Sequence, residues 1–425
     1  YGDARRTQIT DQARGALTVT DVIPDEEAWI TVGTDGAVGR AAGRLPAGID
    51  APQMVLGANT HCDLYLFSRR GQATRIGVHQ LPDGGTAHHA DLGGLGRGDQ
   101  LAAAITARKP NGDPVEGYVV FATAGGSVKR INLADLAAST QGNPTVIKLD
   151  DSDELAWAGT SKGGGEIMLI TAQGQVIRFA EDEVRAMGLP AGGIAGIKLQ
   201  GDDRLVGGVV LPAGQQSGDL ALVASAGAGR RSPLIDFPTK GRGTQGVAGK
   251  LGARTGPIVS AFLVAPADKV LLVLAGGTSK TISGKNLALA RRANTGKAVV
   301  VLKGGDALDR AIVLPPLYAL SLETARALAR STGRGMVQAR AELNAVLVEG
   351  TQGLADLLAL GAGEEHLART QRLGRRLGEL QGRMARATGL ERALSGLLVN
   401  AATVAVVAVA IPLVTAGRLD GVNLA

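Results

Sequence analysis

The sequence predicts an all-β six-bladed propeller or pinwheel followed by an α-helical, transmembrane C-terminal segment, and three observations lead there. A strand–turn–strand unit recurs at a period of about 50 residues as far as residue 315, the signature of a repeat architecture. Glycine supplies 62 of 425 residues while aromatics are 3%; this favours many tight turns, and cores of Val, Leu, Ile and Ala, over long helices. From Ala393 to Gly417 the chain then runs without a charged residue.

The length allows two or three domains, and a hydrophobic share of 45% excludes a disordered chain. The single Cys62 cannot form an internal disulfide, which favours a reducing, cytoplasmic setting. The opening YGDARRTQITDQARG is polar, unlike a signal peptide, and the chain starts at Tyr1, so it reads as a piece of something longer. Net charge is +6, spread evenly between residues 1–315 and 316–425, so a nucleic-acid reading must rest on where the charges sit.

A composition break at Pro315-Pro316 divides the chain. All twelve lysines precede it, and Leu and Ala with helical periodicity follow it. Before the break, six segments share one form: AWITVGTDGAVGR, DLYLFSRRGQATRI, YVVFATAGGSVKRI, EIMLITAQGQVIRF, DLALVASAGAGRR and VLLVLAGGTSKTI. Counted from Gly36, Gly71, Gly126, Gly174, Gly227 and Gly276, the fourth residue onward is Arg40, Arg75, Arg130, Arg178, Arg231 and Lys280. A second marker, Asp-x-Leu, opens a further strand at Asp99, Asp153, Asp203 and Asp306; the last interval spans two periods, with one degenerate copy between. Each unit is thus four short strands. Such a sheet cannot bury both faces alone, and six around an axis can.

Side chains alternate along a strand, so a basic residue at a fixed offset in every blade points the same way, and the six are expected to form an outer belt. The plainer alternative is six ordinary solvated strand ends. Lys129 and Arg230 precede two belt positions and, falling on the opposite face of their strands, are nucleic-acid contact candidates of lower rank.

Residues 166–210, with YGDARRTQI, ANTHCDLYLFSRRGQATRIGVHQLP and PLIDFPTKGRGTQGV, resemble the C-terminal domain of the A subunit of bacterial type IIA topoisomerases, DNA gyrase and topoisomerase IV. The resemblance covers residues 1–315. It implies a six-bladed β-pinwheel whose basic rim binds and bends double-stranded DNA in the cytoplasm, for a catalytic core and an ATPase subunit that this sequence lacks. The gyrase box, Gln-Arg/Lys-Arg-Gly-Gly-Arg/Lys-Gly, has only a partial counterpart at Lys240-Gly241-Arg242-Gly243-Thr244-Gln245-Gly246, which makes Lys240 and Arg242 further DNA-contact candidates and leaves gyrase-like and topoisomerase IV-like activity both open.

Tyr1, Tyr65, Tyr118 and Tyr318 match no catalytic motif, so no catalytic residue is expected in this chain. His61, Cys62, His79, His88 and His89 share one repeat, but their adjacent pairs lack the spacing of structural zinc, so no metal is expected. Gly-Lys pairs at 249, 284 and 296 lack the rest of a P-loop, and no cofactor is expected.

After a linker at 316–333, residues 334–425 form the second domain. Leu343, Val346, Leu347, Leu354, Leu357 and Leu358 fall on one helix face, and the uncharged run at 393–417 is long enough for a membrane span, with the arginine-rich side before it cytoplasmic. A buried soluble helix is the alternative. EGTQGLADLLALG and AIPLVTAGRLDGVNLA resemble the transmembrane domain of ABC exporters, in particular the thiol exporter subunit linked to cytochrome bd assembly. That implies an inner-membrane anchor and an exporter partner subunit. The alternative function for the whole chain is therefore an exporter fragment with an appended propeller docking module.

Overall fold

The computed structural model describes residues 23, 26–42, 44–45, 49–108, 115–315 and 371. Contacts divide the chain between Pro316 and Leu317, and the first unit holds every described residue except Gln371. The linker at 316–333, the exporter-like segment at 334–425 and the expected span at 393–417 lie outside the described residues. Among the described residues no helix is long and apolar enough to cross a membrane.

Six antiparallel hairpins organise the first unit. They are β1 (Glu27–Gly33) with β2 (Ala37–Ala41), β4 (Cys62–Ser68) with β5 (Ala73–Gly77), and β8 (Tyr118–Thr123) with β9 (Ser127–Asn132). The other three are β11 (Glu166–Thr171) with β12 (Gln175–Ala180), β15 (Asp219–Ala224) with β16 (Ala228–Pro233), and β19 (Lys269–Leu274) with β20 (Ser279–Ser283). To the first strand of each hairpin pairs a third strand: β3 (Pro52–Asn59), β7 (Leu101–Arg108), β10 (Leu155–Ser161), β14 (Leu205–Leu211), β18 (Ile258–Leu263) and β22 (Leu308–Val313). These third strands neighbour one another in chain order, and β22 returns to β3, so the ring of six blades closes around them.

The outer strand of each blade is borrowed. β6 (Ala87–His88) follows the second hairpin yet pairs with β2 of the first; β13 (Ile194–Ala195), β17 (Val247–Ala248) and β21 (Lys297–Ala298) likewise pair with β9, β12 and β16, each one blade back. In the second blade a single bridge, Gln72 to Thr145, takes this place. The sixth blade has three strands among the described residues.

The first hairpin strands read as unbroken apolar runs because both their faces are covered. In β11, Ile167 and Leu169 pack toward the third blade while Met168 and Ile170 pack toward the fifth. β4 and β8 behave the same way, and Trp29, Val55, Leu271, Val273 and Leu314 fill the junction between sixth and first blades. Each such buried side chain contributes about 2 kcal/mol, so six interfaces of aliphatic residues suffice without many aromatics.

Turn chemistry fixes each hairpin. Gly126 has φ +87°, and a Cβ there would lie 2.7 Å from the carbonyl oxygen of Ile197, so only glycine fits. The Asp-x-Leu marker is a brace for these turns: Asp153 Oδ1 accepts the Gly125 N–H at 2.7 Å and Asp203 Oδ1 that of Gln173 at 2.9 Å, while Leu155 and Leu205 open β10 and β14. The degenerate copy is Thr255-Gly256-Pro257-Ile258, where the Thr255 carbonyl accepts from Ala226 at 3.0 Å.

Candidate nucleic-acid interface

The belt arginines share a position but not an outward direction. Each reaches across to the short turn that follows the next blade's hairpin. Arg40 Nε donates to the Leu81 carbonyl at 3.0 Å, Arg75 Nη1 to Ala137 at 2.9 Å, Arg178 Nη1 to Leu234 at 3.3 Å and Arg231 Nε to Leu287 at 3.0 Å. Arg130 instead meets the carboxylates of Glu181 at 3.0 Å and Asp182 at 3.3 Å.

A second partner stands diagonally across the same hairpin: Asp63 for Arg75, Glu166 for Arg178 and Asp219 for Arg231. In the third blade Tyr118 takes the place, with the Arg130 guanidinium 4.5 Å from its ring centre. Burial alone would push the Glu166 carboxyl up, but the hydrogen bonds from Arg178 and Thr239 outweigh it and hold the group below the usual range. These residues clamp blade to blade.

The expected free belt is therefore corrected. Arg130 and Arg178 are buried, Arg40 and Arg231 are partly buried, and Arg75 is exposed but engaged. Lys280 is exposed, but it is out of step with the others: the turn glycine with positive φ is Gly277 rather than Gly276, so the sixth clamp position is Thr281. The Gly276-Gly277 pair concealed this in the sequence.

Lys129 and Arg230 lie on the opposite face, as the alternation requires, and are buried. Lys129 Nζ donates to the carbonyls of Val146 at 2.7 Å, Leu189 at 2.6 Å and Ala191 at 2.8 Å. Burial brings its pKa down to about 8. Arg230 donates to Ser232 Oγ and to the carbonyls of Gly249, Lys250 and Asn294; burial also lowers its pKa. Neither is available to a duplex. Of the box-like pair, Lys240 is exposed, whereas Arg242 is partly buried and donates to the carbonyls of Glu183 at 3.0 Å and Ala195 at 2.9 Å.

The histidines are placed in loops and core. His61 Nε2 bonds the Ile23 carbonyl at 2.8 Å, His88 Nδ1 accepts the Ala90 N–H at 3.2 Å, and His89 is buried. Among the described residues no three His, Cys, Asp or Glu side chains converge on a metal site.

A different set of cations does recur on the outside. Where the borrowed segment passes each hairpin turn, Lys148, Lys198 and Lys250 follow in succession, each exposed and each before a leucine that is turned inward. Their backbones are tied to matching turns: Val146, Gly196 and Gly249 donate to the carbonyls of Gly71, Gly126 and Gly174 at 2.8, 2.9 and 2.7 Å. Lys303 lies on the same segment of the fifth blade. The repeated Lys-Leu pair stands in the sequence, but it falls between hairpins, where the turn glycines give no register for it.

Fold and rim define a class: a six-bladed β-propeller with exchanged outer strands and lysines on its outer segments. Residues 117–162, 165–212 and 218–265 match the family described as DNA gyrase C-terminal domain, beta-propeller, and the unit is a β-propeller of the DNA gyrase A and topoisomerase IV C-terminal type. The DNA gyrase A protein of Salmonella typhimurium is 34% identical over 302 residues, covering 65% of this chain and 33% of that protein. The Escherichia coli protein is 31% identical over 330 residues, covering 72% and 36%. The chain thus spans about a third of the length of these relatives.

The same fold appears in two solved structures. The C-terminal domain of DNA topoisomerase IV gives a TM-score of 0.58 at 23% identity, covering 68% of this chain and 93% of that one. The DNA gyrase A C-terminal domain gives 0.57 at 21% identity, covering 68% and 100%. The comparisons lend no support to the exporter resemblance or to a membrane partner.

Proposed function

We propose that the propeller binds double-stranded DNA without sequence preference and bends it along its outer edge, as the C-terminal domain of a type IIA topoisomerase of the DNA gyrase A kind. Strand cleavage and ATP hydrolysis then belong to a catalytic core and an ATPase subunit, which this domain supplies with a curved duplex in the cytoplasm. The observation that carries the reading is the succession of exposed lysines on successive outer segments, Lys148, Lys198, Lys250 and Lys303, joined by Lys240 and Lys280.

Such groups contact phosphates and release counterions, whatever the base sequence. Six contacts correspond to a slope of about −5 in log K against log salt. Bending a 20–30 base-pair site costs about 1–6 kcal/mol, which contacts made only on the curved duplex must exceed. Arg242, already committed to two carbonyls, supports a bracing rather than a gripping role for the box-like segment.

The test is duplex binding by the whole chain across a salt series, with Lys250, Lys280 and Lys303 replaced together by Gln. The slope is expected to shrink by about 2.7. An unaltered slope and affinity would overturn the assignment.

A further inference from the structure

The positive charge of this propeller is not shared around the ring. Between Lys240 and Lys303 there are eleven Lys and Arg against one acidic residue, Asp268; between Glu26 and Ser161, the first three hairpins with their third strands, there are eleven against fifteen Asp and Glu. The basic stretch builds one continuous arc: the borrowed strand of the fourth blade (β17), the third and borrowed strands of the fifth (β18 and β21), and the hairpin of the sixth (β19 and β20).

Within that arc the cations are free to act outward. Lys250 follows β17, Lys297 lies on β21 and Lys303 follows it, Lys280 lies on β20, and Lys285 sits in the turn after β20; all five are exposed and carry no ion pair among the described residues. Among the described residues Arg291 is the one cation of the arc in an ion pair, with Asp236 at 2.7 Å. Asp268 is taken up in its own turn, where Oδ2 accepts the Ala265 N–H at 2.7 Å. β20 has no outer strand beside it among the described residues, and Lys280 on it is exposed.

The rest of the ring carries more acid than base. Two of its exposed arginines are paired, Arg69 with Glu154 at 3.1 Å and Arg97 with Asp91, while Arg44, Arg70, Arg185 and Arg204 are in no ion pair among the described residues. Where the fourth blade places Lys250, the first blade has Asp91, and Asp83 stands on the other side of β6. Packed sheets lie about 10 Å apart, and charges in physiological salt are screened within about 8 Å. Each arc therefore presents its own sign to a ligand rather than the average of the ring.

We infer that the fourth, fifth and sixth blades form the primary docking arc for a polyanionic duplex, and that the first three blades add little grip, so the DNA is held along part of the ring. This rests on the DNA-binding reading above. The geometry favours a duplex over an acidic peptide because Lys250, Lys297 and Lys303, and Lys280 and Lys285 stand on three successive blades, as a ladder of phosphates requires.

Two variants of the full chain test it, each with five exposed residues changed to Gln. The first changes Lys250, Lys280, Lys285, Lys297 and Lys303; the second changes Arg70, Lys148, Lys162, Arg185 and Lys198. Thermal unfolding verifies that both remain folded. The first is expected to lower the salt slope for linear duplex by about 4.5, the second by less than about 1. Equal losses or a larger loss in the second variant would overturn the polarity while leaving DNA binding in place; no loss in either would overturn the lysine assignment together with the polarity. Failure of the unchanged protein to bind duplex would overturn DNA binding itself, and the polarity with it.

Discussion

Arg178 on β12 and Glu166 on β11 stand diagonally across one hairpin, with Met168 directly opposite the arginine, and Arg178 Nε meets Glu166 Oε2 at 2.9 Å. The same guanidinium reaches the Leu234 carbonyl of the next blade. Removing one member of a buried pair leaves the other uncompensated, at about 3 kcal/mol. Arg178→Met is expected to lower stability by that amount in urea unfolding, with duplex affinity of the folded protein within about twofold of the unchanged chain, because the group serves the fold and not the ligand.

Glu166 also sets an acid limit. Its folded pKa is held below the ordinary 4.5, so the ionised carboxylate contributes stability above that pH and the contribution is lost as pH falls through the folded value. Unfolding midpoints below about pH 4.5 should drop more steeply for the native chain than for Glu166→Gln. Parallel curves would contradict the pairing.

Lys129 predicts a slope of the same sign on the alkaline side. Its folded pKa is about 8 against an ordinary 10.5, so between these values the unfolded chain holds more protons and stability rises with pH. Relative to Lys129→Met, the native chain should gain stability from pH 8 to 10.5. At neutral pH the variant should be about 2 kcal/mol less stable, since three carbonyls lose their donor.

His89 is buried with both ring nitrogens unpartnered among the described residues, and burial, followed by the neighbouring His88, lowers its pKa. The folded state keeps the ring neutral. As pH falls below 6.5 the unfolded chain protonates first and stability declines. Melting temperatures between pH 7.5 and 5.5 should fall less for His89→Leu than for the native chain.

At Gly126 a methyl group would face both a left-handed backbone and the Ile197 carbonyl. Gly126→Ala should cost about 1–3 kcal/mol, read as a lower denaturant midpoint. A neutral result would mean that the borrowed segment yields at that turn.

The ring was legible because its signals are local and repeated: a left-handed glycine such as Gly126, the apolar run before it, and the Asp153-x-Leu155 brace after it are each short strings. The borrowed strands were not, since β13 and β17 are two residues long and pair one blade back, leaving no apolar run to count. Of the candidate interface, the sequence shows where the basic residues stand in the hairpin but not what they meet. Arg178 and Arg231 look free until Glu166 and Asp219 are seen beside them. The uneven charge around the ring was equally present in the sequence, but summed over residues 1–315 the surplus from Lys240 onward and the deficit before it leave only a small positive balance.

The exchange of outer strands makes this ring unlike a stack of separable modules. Because β21 comes after the sixth hairpin yet edges the fifth blade, a proteolytic nick near Lys297 would strip a blade that lies earlier in the chain. Damage is passed backward, and no blade can be excised without unzipping its predecessor. Nearest-neighbour repeats can fray from one end, whereas this chain is laced so that melting must begin everywhere or nowhere.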